Sequence, residues 1–218
     1  MIKARTLILL CMLSFRSLCA HEPYQDIFVN GSILAKGSGP DCASRYEALK
    51  TIFALYKGRP FTMLDIGAAE GYFSFRAAHD FGAHVVIVGD PLWNDNILEK
   101  LCRDNNELHH VELISKRVTP KELKQLAKQR HFDIVLALNV LHHFEKDWKK
   151  AYKAILRLGD NIIIETPPNG DKMACGQPLI APINRRINKR AHRLLGRFQR
   201  HTDETQVDRI VVMSGKNY

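Results

Sequence analysis

Residues 61–75 read Phe61-Thr-Met-Leu-Asp65-Ile-Gly67-Ala-Ala-Glu70-Gly71-Tyr-Phe-Ser-Phe75. A short apolar run enters Gly-x-x-x-Gly and then a helix-forming stretch, which describes a strand, a tight turn and a helix. Such a turn leaves backbone N–H groups free at the helix N-terminus, where a ligand can use them. A dinucleotide-binding turn needs G-x-G-x-x-G so that the pyrophosphate lies against the helix dipole. This stretch lacks that spacing, and Asp65 sets an anion where a pyrophosphate would approach. A ligand with a cationic end suits the turn better.

Outward from this turn the chain alternates. Runs rich in Val, Ile and Leu fall at 61–66, 84–89, 110–114, 132–138 and 161–165, with helical stretches near 71–81, 94–103, 119–130 and 146–158. Continuous apolar runs between amphipathic helices predict a mostly parallel sheet covered on both faces, a doubly wound α/β domain. Its ligands belong beyond the C-terminal ends of the strands. Upstream, Asn30-Gly31 between two short apolar runs predicts a type I′ hairpin. Lys36-Gly-Ser-Gly-Pro40 breaks the chain, and Ser44-Arg-Tyr-Glu47 reads as a capping box opening a helix to about Lys57.

The first twenty residues combine a basic start (Lys3, Arg5) with an apolar run, Thr6 to Phe15, and end Ser17-Leu-Cys-Ala20. This is the outline of a secretory signal peptide, with Arg16 and Leu18 as departures from it. The run is half of the roughly 20 residues a membrane-spanning helix needs, so no integral span is expected. The alternative is an apolar N-terminal extension. The five cysteines show no CxxC spacing, and neither a metal site nor a disulfide scaffold is expected. The formal charge of +9 admits nucleic acid, an anionic membrane or an acidic substrate as partner, and it excludes none of these.

Leu64-Asp-Ile-Gly-Ala-Ala-Glu-Gly71 resembles the first motif of the class I S-adenosylmethionine-dependent methyltransferases, and the resemblance covers most of residues 60–215. It implies a Rossmann-like methyltransferase fold with S-adenosyl-L-methionine as cofactor. Asp65 would help hold the methionine ammonium, and Gly67, Ala69 and Gly71 would wrap the aminoacyl and ribose part. The family usually has glycine where Ala69 stands. The next strand ends on Asp90, 25 residues after Asp65, where a carboxylate can accept both ribose hydroxyls; the alternative is an acid at the N-terminus of the following helix. Arg117-Val118 stands where the family often places Asp and a small residue against adenine.

Phe132-Asp133-Ile-Val-Leu-Ala-Leu-Asn139-Val-Leu-His142-His143 resembles the fourth motif of members acting on small molecules. Asn139 would sit beside the cofactor, and His142 or His143 would take a proton from the substrate, since imidazole titrates near neutral pH. A packed and a solvated histidine is the alternative. Glu165, ending the fifth run, is either a partner of that chemistry or a structural acid.

Seven basic residues and no acid lie between Ala181 and Arg200, a candidate basic helix over 185–200 for RNA phosphates or a lipid head group. Leu194 to Thr202 and Asp208 to Met213 look like the antiparallel closing strands of the family. Residues 1–20 are thus a signal-like segment, 21–59 a hairpin and helix serving as a cap, and 60–218 the methyltransferase domain. The expected activity is methyl transfer to a small molecule, saccharide or lipid precursor, with acceptor selection by the cap and the Pro167–Pro182 stretch. RNA methylation, or a non-catalytic interaction protein keeping this fold, are the alternatives. A signal-like start points to export or membrane association, whereas a cofactor made in the cytosol points to the cytoplasm.

Overall fold

The apolar runs pair in parallel, and their order places the site. The computed structural model describes residues 22–39, 41–92, 96–166, 177–198 and 209–215. Five strands, β3 (Thr62–Ile66), β4 (His84–Gly89), β5 (Val111–Ser115), β6 (Phe132–Leu138) and β7 (Gly159–Glu165), run parallel. Two more, β8 (Arg193–Phe198) and β9 (Arg209–Gly215), join antiparallel to give the order β5-β4-β3-β6-β7-β9-β8. The chain winds outward from β3 through β4 to β5 and then returns to β6 on the other side of β3. Strand order therefore reverses beside β3, and a crevice opens there above the strand ends.

Helices α1 (Cys42–Phe53), α2 (Tyr72–Phe81) and α3 (Ile97–Asp104) share one apolar cluster with one face of the sheet. The opposite face packs α4 (Pro120–Gln129), α5 (Trp148–Ile155) and α6 (Gln177–Arg190), through Leu123, Trp148, Tyr152, Ile183 and Ile187. The expected Asn30-Gly31 hairpin forms between β1 (Ile27–Val29) and β2 (Ser32–Ala35), with both turn residues at positive φ. Phe28 and Ile27 enter the same cluster as α1 and α2, so residues 22–56 and the sheet close over one core.

Several boundaries differ from the sequence reading. The cap of α1 is Asp41, which accepts from Ala43 N at 3.1 Å and Ser44 N at 3.3 Å, so the helix starts ahead of the expected Ser44 box. Glu47 pairs instead with Lys50 on the surface. The stretch before α5 is a 3₁₀ turn over Leu141–Asp147, broken by Glu145 at φ 47, ψ −128. The expected basic helix over 185–200 is also corrected: α6 ends at Arg190, and Arg193 and Arg197 lie on β8, whose pairing with β9 overrides any helical preference. The signal-like segment 1–20 and most of the Pro167–Pro182 stretch lie outside the described residues.

One capping box is complete. Thr119 Oγ1 accepts from Glu122 N, and Glu122 accepts from Thr119 N at 2.8 Å, while Lys116 beside it helps hold the Glu122 carboxyl down to about 2. Replacing Thr119 with Ala is expected to cost about 1 kcal/mol, read as a lower urea midpoint with unchanged slope; an unchanged midpoint would mean that Pro120 and the packing of Leu123 alone fix this helix start.

Candidate active site

A cavity of about 490 Å³ lies over the C-terminal ends of the parallel strands. Gly67 and Ala69 line it from the turn after β3, Asp90 from the end of β4, Glu99 from α3, and Lys116 and Arg117 from beyond β5. Asn139, His142, His143 and Glu145 complete it from the end of β6. Six of the eight residues singled out in the sequence therefore meet at one cavity, and Asp65 and Gly71 are the two outside its lining.

The turn after β3 is held in unusual backbone. Gly67, Ala69 and Gly71 stand at φ 71, 50 and 75. A side chain at Gly67 would bring its Cβ to 2.5 Å from Val140 Cγ1, so the bare backbone is required both by φ and by the approach of the β6 loop. Ala69 shows that the methyl in place of the family's glycine is accommodated in left-handed backbone. Five non-glycine residues have positive φ among the described residues, and four of them (Ala69, Asn96, Asn139, Glu145) line the cavity; the fifth is Asn30 of the hairpin. Strain concentrated in this way marks functional sites.

Asp65 lies behind the turn, 2% exposed, and accepts from Ser74 Oγ at 2.7 Å. Burial raises its carboxyl to about 6, against the opposing pull of the Ser74 hydrogen bond and the Arg45 charge. Arg45, on α1, is buried and donates through Nη2 to Glu165 at the end of β7, with its guanidinium 4.7 Å from the Phe73 ring centre. Glu165 is thus a structural acid joining α1 to the sheet. Its backbone carbonyl accepts from Asn139 N at 3.2 Å, which ties the pair to the cavity lining.

Glu70, unremarked in the sequence, is fully buried and organises the N-terminal strap. Its two carboxylate oxygens accept from Tyr24 N and Gln25 N, each at 2.9 Å, while Gln25 Oε1 accepts from Tyr72 N at 3.0 Å. Tyr24 is thereby fixed as part of the cavity lining. The Gly37 and Gly39 pair does more than break the chain: a Cβ at Gly37 would lie 2.4 Å from Gln25 C, so only glycine lets the two backbones lie together.

The histidine rings lie 4.0 Å apart between centroids, with His142 buried and His143 partly exposed. Arg117 Nη2 donates to His143 O at 3.3 Å, so the residue at the expected adenine position braces the histidine turn. Asp90 does not begin α3, which starts at Ile97; its Oδ1 accepts from Leu92 N at 3.0 Å and shapes the loop. Glu99 accepts from Ser115 Oγ at 2.6 Å at the cavity edge. Nothing in local pattern singles out Tyr24, Glu99 or Glu145, because only the tertiary crossing of the strap and the strand ends brings them here. Among the described residues, no three His, Cys, Asp or Glu side chains are grouped to hold a metal ion.

Residues 63–159 match a family model described as a methyltransferase domain. Residues 63–159 carry a methyltransferase domain. No curated protein sequence matches the chain at a significant level. Among solved structures, the methyltransferase domain is similar to the bifunctional kinase-methyltransferase WbdD, with TM-score 0.71 and 22% identity over 92% of this chain and 45% of that one. It is similar also to the N-terminal domain of EvdMO1 with SAH bound, with TM-score 0.61 and 17% identity over 96% of this chain and 97% of that one. The same EvdMO1 domain, solved in the presence of SAH and D-fucose, has TM-score 0.60 at 17% identity over 100% of this chain and 98% of that one. The chain thus spans less than half of WbdD, and at such identities the likeness is one of fold.

Proposed function

We propose that the protein binds S-adenosyl-L-methionine in the 490 Å³ cavity and transfers its methyl group to a hydroxyl of a small molecule of the saccharide class. The observation that carries this reading is the convergence of Gly67, Ala69, Asp90, Asn139 and the histidine pair on one cavity at the reversal of strand order. Asn139 Oδ1 is buried with no hydrogen-bond partner among the described residues, an acceptor that a bound donor would satisfy. The bare Gly67 backbone and the Asp90 carboxylate fit the aminoacyl and ribose parts of such a cofactor. When bound, the cofactor supplies an electrophilic methyl on a sulfonium sulfur.

The chain's own residues then have simple tasks. Asp90 accepts hydrogen bonds from paired hydroxyls, the turn excludes water from beneath the ligand, and Tyr24 covers it from the strap. With the cofactor bound, His142 or His143 would receive the proton of the acceptor hydroxyl as its oxygen takes the methyl carbon and the carbon–sulfur bond breaks, its electron pair staying on sulfur. Positioning accounts for most of the rate in such a transfer, so few polar residues suffice. The likeness to WbdD, a bifunctional kinase-methyltransferase, and to the EvdMO1 domain, solved in the presence of SAH and D-fucose, supports the reading.

Titration of the full chain with S-adenosyl-L-methionine in a calorimeter is expected to show micromolar binding. Asp90→Ala should weaken it tenfold or more, since about 1.5–3 kcal/mol is lost with a charged hydrogen-bond partner. No heat at millimolar cofactor would overturn the proposal.

A further inference from the structure

The two faces of the sheet differ in charge. Over 119–130, 145–157 and 177–190, which hold α4, α5 and α6, there are thirteen basic residues and three acids, a surplus of +10 against +9 for the whole chain. The rest of the molecule is close to neutral, and essentially the entire net charge sits on one helical layer. All thirteen are exposed. On the other face the helices balance their charges internally, with Lys50–Glu47 on α1, Arg76–Asp80 on α2 and Lys100–Asp104 on α3.

We propose that the α4–α6 layer is a docking surface for an anionic lipid bilayer. The three helices form one continuous layer: α4 packs beside α5, and α6 lies against the turn that leads into α5. Arg186 and Arg190 of α6 lie close enough to α5 to favour ionisation of the Tyr152 hydroxyl, against the burial that raises it. Surface acids offset little of this charge, with Asp147 pairing Lys150 at 2.8 Å and Glu112 pairing Arg130 at 2.8 Å. The layer therefore presents Lys124, Lys149, Lys153 and Arg186 from three adjacent helices, the arrangement that a planar anionic surface complements.

A nucleic acid is the less suitable occupant. Single strands are held by stacking bases on exposed rings, and here α4 and α6 contain no aromatic residue, while Trp148 and Tyr152 of α5 are 4% and 1% exposed. Among the described residues no helix is long and apolar enough to cross a membrane. The inference is independent of methyl transfer.

The test is co-sedimentation of the full chain with phosphatidylcholine vesicles, with and without phosphatidylserine. It is repeated for a variant carrying Lys124→Glu, Lys149→Glu, Lys153→Glu and Arg186→Glu, and for one with Gln at the same positions. None of the four lines the cavity, so cofactor titration of each variant should match the parent and certify its fold. A basic residue near an anionic surface contributes about a fivefold gain, so the Glu variant should bind the phosphatidylserine vesicles at least about a hundredfold more weakly. The Gln variant should fall between, and added salt should release the parent. Equal binding of parent and variants to the anionic vesicles would overturn the proposal. So would tighter binding to polyuridylate than to vesicles, at one salt concentration and through the same four residues.

Discussion

Arg45→Met is expected to destabilise the protein by about 3–5 kcal/mol, the largest single effect we anticipate. Arg45 and Glu165 are 2% and 1% exposed, and they join α1 to the end of β7 across 120 residues of chain. Removing the guanidinium leaves a carboxylate in the interior without its main countercharge. The converse change, Glu165→Leu, leaves Arg45 in the same state. The double variant Arg45→Met/Glu165→Leu should recover much of the loss, because an apolar pair of similar volume has no desolvation to offset. Urea unfolding of the three variants measures this, and additive losses would show that the two residues act through separate contacts. Asn139 N donates to Glu165 O, so the single variants should also loosen the cavity lining and weaken cofactor binding, an effect absent from Thr119→Ala.

What was legible in the sequence follows from the range of the interactions concerned. β3, β4, β6 and β7 are readable because their apolar stretches are buried on both faces, whereas the edge strand β5, with Glu112 exposed, carries the weakest signal. The glycine turn was readable because positive φ restricts residue type, and the hairpin at Asn30-Gly31 for the same reason. Ser44 was misassigned as the cap of α1 because Asp41 competes for the same N–H groups, and the choice depends on where the chain enters after Lys36–Pro40. The basic stretch carries two readings in the sequence, a helix over 185–200 and a closing strand from Leu194, and charge composition alone does not show that the pairing of β8 with β9 takes over at Arg193. Arg45, Glu70 and Tyr24 carried no local signal at all. Each acts on a residue more than 40 positions away, and a buried arginine looks like a surface one until the fold closes around it.

The layered distribution of charge was equally out of reach. The sequence shows a surplus and one cluster near its end, whereas the fold collects three separate stretches on one face and pairs off the charges on the other. The cavity opens at the strand ends, and the 3₁₀ turn carrying His142 and His143 leads directly into α5 of the basic layer.

Asp65→Asn should separate stability from function. Burial raises the Asp65 carboxyl from 3.8 to about 6, so the folded state holds the proton more firmly than the unfolded chain. A raised folded value means that stability is full below pH 4, declines as pH rises to about 6, and stays reduced above it. The shift corresponds to about 3 kcal/mol at pH 8. Asparagine avoids this cost while its carbonyl oxygen can still accept from Ser74 Oγ, so the variant should be the more stable protein at pH 8 by about 2–3 kcal/mol. The two should converge near pH 4. Binding should move the other way: if the ionised acid draws the cofactor's ammonium toward Gly67, parent affinity falls as pH drops through 6, and the asparagine variant binds weakly at every pH. Unfolding curves at pH 4.5 and 8, with cofactor titrations at the same values, read both effects. A variant no more stable than the parent at pH 8 would show that Ser74 and Arg45 already offset the burial of the charge. A variant that is more stable and binds as well as the parent would remove Asp65 from the cofactor's recognition, leaving Asp90 and the Gly67 turn to carry it.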